Sequence, residues 1–364
     1  RRKSLDLLNS WGYELVMPPL MEYLDSLLTG VGRDLEIETF KLTDQITGKM
    51  MGVRADMTPQ VARIDTHYLR QSGATRLCYF GPVLRTRPDS LGGSRVPLQL
   101  GAELFGVADA EADIEIVELL VETLSCMGID NLHVDLAHMG VFTSLMQQAG
   151  LDEHARGSLM DAITSKSAPD VERRCNAFNV DEATQKLLVL MTDCSGEAAQ
   201  LDTVASEFAK ASPEVADAFT NLAMIAGRLR KRLPDTRIYF DLASLSGQSY
   251  HTGLVFTVYI PGCGRAIANG GRYDDIGREF GRSRAATGFS LDLRAVAKQV
   301  NSEDDLPHRI CAPYEDDKAL MKAVKTLRES GKQVIFCYED DAIKQETNNA
   351  SRLVKKDDAW VIES

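Results

Sequence analysis

Two short polar segments have residue types and spacing suited to binding a small charged ligand. In the first, residues 52–60 (GVRADMTPQ), Asp56 and Thr58 are separated by one residue. Thr58 followed by Pro59 is typical of an N-cap and first turn, and predicts a helix that runs towards Arg70. Asp56 and the Thr58 hydroxyl either belong to a solvated loop or lie beside an amine of a ligand.

The second segment, residues 98–106 (LQLGAELFG), alternates as a strand does, which places Gln99, Gly101 and Glu103 on one face. Polar side chains in such a strand either face solvent or line a pocket. A glycine between them leaves room for a ligand to approach the backbone. A buried carboxylate needs a partner, which an amine or an imidazole could supply.

A third segment, residues 81–90 (GPVLRTRPDS), follows the apolar run LCYF and predicts a strand that ends in an arginine-rich turn. Arg85 and Arg87 could hold phosphates, but no acidic residue precedes Asp89. The glycine-rich segments 262–265 and 269–274 do not match a phosphate-binding motif and predict turns that bound strands. Near His133 and Asp135 no further ligands cluster, so no metal site is predicted.

The composition limits the class of protein. With 364 residues, 44% of them hydrophobic, the chain can bury a large core in two domains. No run of eighteen apolar residues is present, which excludes a spanning helix. A net charge of −12 disfavours nucleic acid as a partner, and seven cysteines without a CxxC pair predict free thiols in a reducing cytosol. The absence of an initial Met suggests that a segment precedes Arg1.

The patterns along the chain predict an α+β fold. Residues 111–127 predict an amphipathic helix and residues 131–137 a strand. Residues 141–233 are helical in pattern throughout and end in a basic cluster (228–232) that the helix dipole favours, so they predict a helical insertion. Strands are predicted at 237–243, 254–260, 265–268 and 286–291. After a linker at 301–307, a small α/β unit is predicted from strands at 309–312, 333–338 and 359–363 and a helix at 318–330.

Taken in order, residues 10–295 resemble the catalytic core of histidyl-tRNA synthetases, a class II synthetase fold with an antiparallel sheet. Gly12-Tyr13-Glu14 with Pro18, Pro19 and Glu22 resembles motif 1, which in that family forms the dimer interface. Residues 53–59 resemble the loop that contacts the histidine amino group, and 76–106 resemble motif 2. Residues 249–256 (SYHTGLVF) and 268–274 (ANGGRYD) resemble the two histidine-specific motifs, and 286–294 resembles motif 3.

Three departures lie on the side that would hold ATP. The turn LRTRP (84–88) is one residue shorter than in the family and lacks its glutamate, and Ser246 stands where a catalytic arginine is expected. Such an arginine would stabilise charge as the carboxylate attacks ATP. In motif 3, Asp292 replaces a glycine and Arg294 is out of register by one. About 57 residues after Pro307 are too few for a full anticodon-binding domain.

The residues that bind histidine in the synthetase family are largely kept in this sequence, as far as the resemblance shows. Asp56 and Gln99 would contact the amino group, and Glu103 the imidazole. The other expected binding residues are Thr58, Tyr250, His251 (in place of a tyrosine) and Tyr273; Arg85 is a candidate remnant contact for an anion. No catalytic residue, metal or cofactor is predicted. Residues 1–301 form the expected core, with the insertion at about 141–233, and 307–364 the truncated C-terminal unit.

This selective loss resembles the synthetase-like regulatory subunits of ATP phosphoribosyltransferase. The resemblance implies a non-catalytic subunit that activates a short-form catalytic subunit in the first step of histidine biosynthesis and mediates feedback inhibition by histidine. It further implies a hetero-oligomer with that subunit, a self-dimer through the motif 1 region, no nucleic acid, no membrane and a cytoplasmic location. The alternative is a divergent histidyl-tRNA synthetase or histidine-adenylating enzyme.

Overall fold

The computed structural model describes residues 1–29, 33–88, 93–208, 210–245, 251–278, 281–300, 309–337, 350–357 and 359–363. The chain forms two compact units, Arg1–Val300 and Asn301–Ser364. The predicted linker at 301–307 lies outside the described residues. None of the helices in the described part of the chain is long and apolar enough to cross a membrane.

The first unit contains helices and strands in alternation. Its strands are β1 (Glu14–Val16), β2 (Met21–Tyr23), β3 (Phe40–Thr43), β4 (Met50–Val53), β5 (Thr75–Pro82), β6 (Leu98–Phe105), β7 (His133–His138), β8 (Ser195–Glu197), β9 (Arg237–Asp241), β10 (Leu254–Tyr259), β11 (Ala268–Arg272) and β12 (Ala286–Asp292). Its α-helices are α1 (Arg2–Ser10), α2 (Leu24–Leu28), α3 (Arg33–Glu38), α4 (Thr58–Arg63), α5 (Ala110–Cys126), α6 (Met139–Gln148), α7 (Glu153–Thr164), α8 (Ala168–Ala177), α9 (Glu182–Met191), α10 (Leu201–Phe208), α11 (Pro213–Arg232) and α12 (Leu293–Ala297).

Nine of these strands form one sheet, in the order β1-β5-β6-β12-β11-β10-β7-β9-β8. The six central strands, β5-β6-β12-β11-β10-β7 in sheet order, pair antiparallel with their neighbours. The pairs β1–β5 and β7–β9 are parallel. This α+β architecture confirms the predicted fold class. A second sheet of three strands has the order β2-β4-β3.

Strand alternation places the main apolar cluster on one face of the large sheet. The polar side chains of β6 lie on the other, the polar face, beside a second and smaller apolar cluster that includes Leu77, Tyr79 and Phe105. Leu100, Ala102 and Leu104 of β6 belong to the main apolar cluster, together with Ile116 and Leu120 of α5. The alternate residues of β6, beginning with Gln99, point to the other face. The helix that covers the apolar face therefore stabilises the strand while leaving its polar side chains available to a site.

The helical stretch is close to the sequence prediction, with one omission. Helices α6 to α11 occupy most of residues 139–232, but the short strand β8 lies between them and forms one edge of the large sheet, where it pairs with β9. The basic end of α11 packs beside α5, where Arg228 pairs with Glu111 and Arg232 with Glu118. These ion pairs give the basic cluster a structural role.

The predicted strand at 265–268 is wrong, because the strand β11 begins where that prediction ends. The segment interpreted as a glycine-rich turn is itself the strand, and pairs with β10 and β12. Glycines are needed there because neighbours approach closely: a Cβ on Gly270 would overlap the Phe256 ring and the Gly288 carbonyl oxygen. Backbone crowding from other strands is not visible in the local sequence.

A buried ion pair joins the helix after Thr58 to the start of β12. Beyond α4 the chain continues as a π-helical segment (Ile64–Leu69) that ends at Arg70 in the left-handed conformation, so the predicted run towards Arg70 is confirmed. Asp65, fully buried, accepts from the Arg284 guanidinium at 2.6 and 2.8 Å. Arg284 also donates to the carbonyl of Gly73. A buried charge of this kind requires such partners.

The second unit has its own sheet and core. Its elements are β13 (Arg309–Pro313), α13 (Lys318–Glu329), β14 (Gln333–Cys337), β15 (Ala350–Lys356) and β16 (Ala359–Glu363), and the sheet order is β14-β13-β15-β16. Strand β15 is absent from the sequence prediction. The prediction that every cysteine is a free thiol is wrong for one pair, since Cys311 and Cys337 form a disulfide with their Cα atoms 5.9 Å apart. Parallel pairing of β13 with β14 brings them together, and no short motif indicates this.

Candidate functional site

The polar face of the large sheet carries the candidate site at strands β6 and β12. The register pairs Glu103 with Gly288, Gly101 with Ser290 and Gln99 with Asp292. Residues paired in this way project their side chains to the same face of an antiparallel sheet. The predicted common face of Gln99 and Glu103 is therefore confirmed, and Ser290, which the sequence prediction missed, lies beside them.

Glu103 is the most buried carboxyl group of the site, with 1% of its surface exposed. Its Oε1 accepts hydrogen bonds from Thr58 Oγ1 and Tyr79 Oη, each at 3.0 Å, and Tyr273 Oη donates to Oε2. Burial raises the pKa of Glu103 to about 8, although the three hydroxyl bonds oppose that rise. Near neutral pH this carboxyl group is therefore protonated in the ligand-free protein.

Gln99 ties the loop before α4 to the sheet. Its Nε2 donates to Asp56 Oδ1 at 2.5 Å and to Ser290 Oγ at 3.1 Å, while its Oε1 accepts from the amide of Met57 at 3.0 Å. Asp56 is 2% exposed, which rules out the solvated-loop interpretation. Because both ends of the Gln99 amide are used, the Asp56 carboxylate is held in a defined position.

Thr58 has a different local role from the one predicted. The N-cap of α4 is Met57, Thr58 is the first helical residue, and Pro59 follows in the first turn. The Thr58 hydroxyl makes no capping bond; it lies 3.1 Å from Tyr79 Oη and donates to Glu103. The contacts with two strands of the large sheet outweigh local capping, and a single segment cannot predict contacts of that kind.

The glycines on the polar face make room for side chains of the protein. A Cβ on Gly101 would overlap the Tyr79 hydroxyl, and one on Gly271 would lie 2.7 Å from His251 Cδ2. The interpretation that Gly101 leaves space for a ligand is therefore wrong for this position. Tyr79 is missing from the sequence prediction, and the only available signal is the small residue opposite it in the β5–β6 pairing.

Five predicted residues line one cavity, which has room for about one water molecule. These are Asp56, Thr58, Glu103, His251 and Tyr273, joined by Asn269, Gly270, Gly288, Phe289 and Ser290. Gln99 lies behind Asp56 and Ser290. Tyr250 and Ser246 lie outside the described residues. An amino acid is much larger than one water, so its entry requires lining side chains to move.

Arg85 does not line the cavity. Its Nε donates to the carbonyl of Ala55 at 3.1 Å and lies 3.8 Å from a carboxylate oxygen of Glu38. Thr86 is anchored by its hydroxyl to the carbonyl of Ile37 at 2.8 Å. Arg85 and Thr86 therefore pack against the protein, whereas Arg87 is exposed and Asp89 lies outside the described residues.

The carboxylate of Asp292 lies on the polar face, opposite Gln99 in the β6–β12 pairing. Asp292 Oδ1 accepts from the amides of Leu98 (2.9 Å) and Arg294 (3.0 Å), and so caps α12 and fixes the start of β6. The guanidinium of Arg294 donates to the carbonyl of Val96 at 2.9 Å. A carboxylate at this place repels a polyphosphate, and the nearby cation is engaged with the backbone.

Comparisons with known proteins agree with the fold. Residues 1–296 match the family model described as histidyl-tRNA synthetase, and residues 307–363 match the model of the ATP phosphoribosyltransferase subunit HisZ C-terminal domain. A structure from Bacillus halodurans, titled an ATP phosphoribosyltransferase regulatory subunit/histidyl-tRNA synthetase, superposes with a TM-score of 0.81, 23% identity and coverage of 96% of this chain and 91% of that one. The large unit is therefore a class II, histidyl-tRNA synthetase-like fold.

Relatives of higher sequence identity show to which family within this fold the chain belongs. A regulatory subunit of ATP phosphoribosyltransferase from Alkalilimnicola ehrlichii is 44% identical over 99% of this chain and 91% of its own length. One from Thioalkalivibrio sulfidiphilus is 46% identical over 92% of this chain and 85% of its own length. The chain belongs to the family of ATP phosphoribosyltransferase regulatory subunits. At 18% identity and a TM-score of 0.61, an ATP phosphoribosyl transferase (HisG:HisZ) complex from Thermotoga maritima shares the fold, over 80% of this chain and 95% of that one.

Proposed function

We propose that this chain is the non-catalytic regulatory subunit of ATP phosphoribosyltransferase, acting in the first step of histidine biosynthesis. It assembles with a short-form catalytic subunit, activates it, and mediates feedback inhibition when histidine binds the pocket of the large unit. One observation carries the proposal: the carboxyl groups of Asp56 and Glu103, which suit an amino acid, converge on a cavity, while Asp292 lies on the side that corresponds to ATP by resemblance.

The pocket fits histidine by charge and hydrogen bonding. The buried Asp56 carboxylate, held by Gln99, faces the cavity and suits a protonated α-amino group. Glu103 offers a carboxyl group to a ring nitrogen of the imidazole, and His251 and Tyr273 line the ring. Tyr250 belongs to the same proposed set of binding residues by resemblance. Thr58 belongs to it through its hydrogen bond to Glu103.

Feedback inhibition requires histidine to favour one state of the assembly over another. The small cavity supports this, because ligand entry must displace lining side chains. Inhibition then follows if the catalytic subunit is active only with the histidine-free state.

A second copy of the chain is the proposed occupant of the apolar surface near the motif 1 region. Met17 is 82% exposed and Leu15 50% exposed; Leu15 lies in the edge strand β1 and Met17 directly follows it. Met21, Tyr23 and Met50 of the three-stranded sheet are also exposed. Exposed apolar side chains on an edge strand and on a second sheet are typical of an interface between subunits.

The test mixes the purified chain with a short-form catalytic subunit and follows the condensation of ATP with phosphoribosyl pyrophosphate, with and without histidine. We expect a faster rate in the presence of the chain and inhibition by added histidine. A parallel assay of histidine-dependent ATP–pyrophosphate exchange by the chain alone should show no turnover. Exchange at synthetase-like rates would instead support the histidine-adenylating alternative.

A further inference from the structure

The hydroxyl of Tyr79 lies at the centre of the hydrogen bonds around Glu103, although Tyr79 does not line the cavity. Tyr79 is fully buried in β5, opposite Gly101, and its ring crosses the space above that glycine. Its Oη lies 3.0 Å from Glu103 Oε1 and 3.1 Å from Thr58 Oγ1. A side chain at position 101 would prevent this crossing.

The three oxygen atoms form a closed triangle of contacts. Thr58 Oγ1, Tyr79 Oη and Glu103 Oε1 are each 3.0 or 3.1 Å from the other two. Both hydroxyls donate to Glu103 Oε1, so the contact between the two hydroxyl oxygens fixes their mutual positions and needs no proton from Glu103. Among the described residues, the hydrogen-bond partners of Glu103 are hydroxyl groups and none is basic. Burial without a cationic partner in the described part of the chain therefore favours a neutral carboxyl group in the ligand-free pocket.

We propose that Tyr79 is a positioning residue of the pocket, which holds the Glu103 carboxyl group so that it shares one proton with the imidazole ring of bound histidine. The inference rests on the proposed function, because histidine must bind this pocket. A neutral carboxyl with a neutral ring, and a carboxylate with an imidazolium, give the same complex: one proton lies between a carboxyl oxygen and a ring nitrogen.

A shared proton gives histidine binding a window of pH. Below about pH 6.5, the ordinary pKa of an imidazole, both Glu103 and the ligand ring are protonated. The complex holds only one proton between them, so one proton must be released on binding and the affinity falls. Above about pH 8, where Glu103 ionises, neither Glu103 nor the imidazole carries the proton that they share in the complex. The affinity therefore falls at both ends of the pH range. The other titratable groups that face Glu103 are Asp56, Tyr79, Tyr273 and His251.

Tyr79 sets the upper limit of this window. Replacing it with Phe removes a charge-assisted hydrogen bond from the ionised carboxylate but a neutral one from the protonated form. Charge-assisted bonds are roughly twice as strong, so the pKa of Glu103 rises further in the variant. The upper limb of the affinity profile should move to higher pH, and the lower limb, which belongs to the ligand, should not move.

The experiment is calorimetry of L-histidine binding to the full chain from pH 5.5 to 9.5, for the parent protein and Tyr79→Phe. We expect the upper limb of the variant to be displaced upward, and its plateau affinity to be lower by a factor of a few, because the Glu103 carboxyl group is held by one donor fewer. The α-amino group of histidine titrates in the same way for every variant, so the displacement between variants is the readout.

Tyr13→Phe is the matched control. Tyr13 is also buried and also donates to a glutamate, Glu115 at 3.0 Å, away from the cavity. This variant should leave both limbs in place. Should Tyr79→Phe fail to fold by thermal unfolding, Tyr273→Phe removes a second donor to Glu103 and should displace the upper limb in the same direction.

The outcomes separate this inference from the function on which it rests. No histidine binding by the parent protein at any pH contradicts the proposed function. Binding by the parent with an upper limb that is unmoved or lowered in Tyr79→Phe overturns the positioning role and leaves the proposed function standing.

Discussion

The carboxyl group of Glu103 occupies the space above the backbone of Gly288, its partner across the β6–β12 pairing. A Cβ at position 288 would overlap the Glu103 carboxyl and lie 2.7 Å from the Ala102 carbonyl oxygen. The glycine in one strand therefore determines where the carboxyl group of the other can lie. Several properties of the pocket depend on this relationship.

Gly288→Ala should displace the Glu103 carboxyl group and abolish measurable histidine binding while the chain still folds. Overlap in a packed site also lowers stability, by about 1–3 kcal/mol. Calorimetry and urea unfolding check the two effects. Gly157→Ala is the control, since nothing lies within 4 Å of a Cβ there and the position is helical; it should bind normally and be more stable by about 1 kcal/mol.

Glu103→Gln should make the ligand-free protein more stable than the parent at pH 8, and the difference should shrink as the pH falls to 5. The pKa of Glu103 is about 8 in the folded protein and near its ordinary value when unfolded. Between these values only the unfolded chain loses the proton, so the parent becomes less stable as pH rises, by a few kcal/mol in all. Thermal unfolding in histidine-free buffer measures this. A difference independent of pH would mean that Glu103 is not protonated in the folded state.

Asp65→Asn should destabilise the large unit by about 3–5 kcal/mol, because it leaves the buried Arg284 guanidinium without its counter-charge. The measurement is the free energy of unfolding in urea. Glu182→Gln removes one partner of the exposed pair with Lys186 and should have no measurable effect. Equal effects of the two changes would show that the Asp65–Arg284 pair contributes little.

Met17→Glu should convert the proposed self-dimer to a monomer, because a charge would be buried in an apolar interface. Analytical ultracentrifugation gives the molar mass of each variant. Val361→Glu in the second unit, where the parent side chain is 36% exposed, should leave the mass unchanged. A dimer that persists in Met17→Glu would place the interface elsewhere.

The sequence predicted the polar pair of β6 correctly because alternation is a local property. Gln99 and Glu103 need only a regular strand to share a face. The helix after Thr58 and the amphipathic helix α5 follow from equally local patterns. Resemblance extended the prediction to His251 and Tyr273, which line the cavity with Glu103.

The rest could not be predicted because it depends on contacts between distant segments. Tyr79 reaches Glu103 only in the β5–β6 register, and Cys311 meets Cys337 only when β13 pairs with β14. Strand β11 was missed because glycines usually indicate turns, whereas Gly270 is required by the ring of Phe256. The binding roles of the pocket residues stay a prediction until ligand binding is measured.

The most direct test of the account is the histidine dependence of the assembled complex. A short-form catalytic subunit is combined with the parent chain, with Glu103→Gln or with Gly157→Ala, and the rate is measured over a range of histidine concentrations. We predict inhibition with the parent chain and with Gly157→Ala, and at least tenfold more histidine for half-inhibition with Glu103→Gln, as for the loss of a hydrogen bond to a charged group. The same half-inhibitory concentration with all three chains would contradict the claim that histidine acts through this pocket.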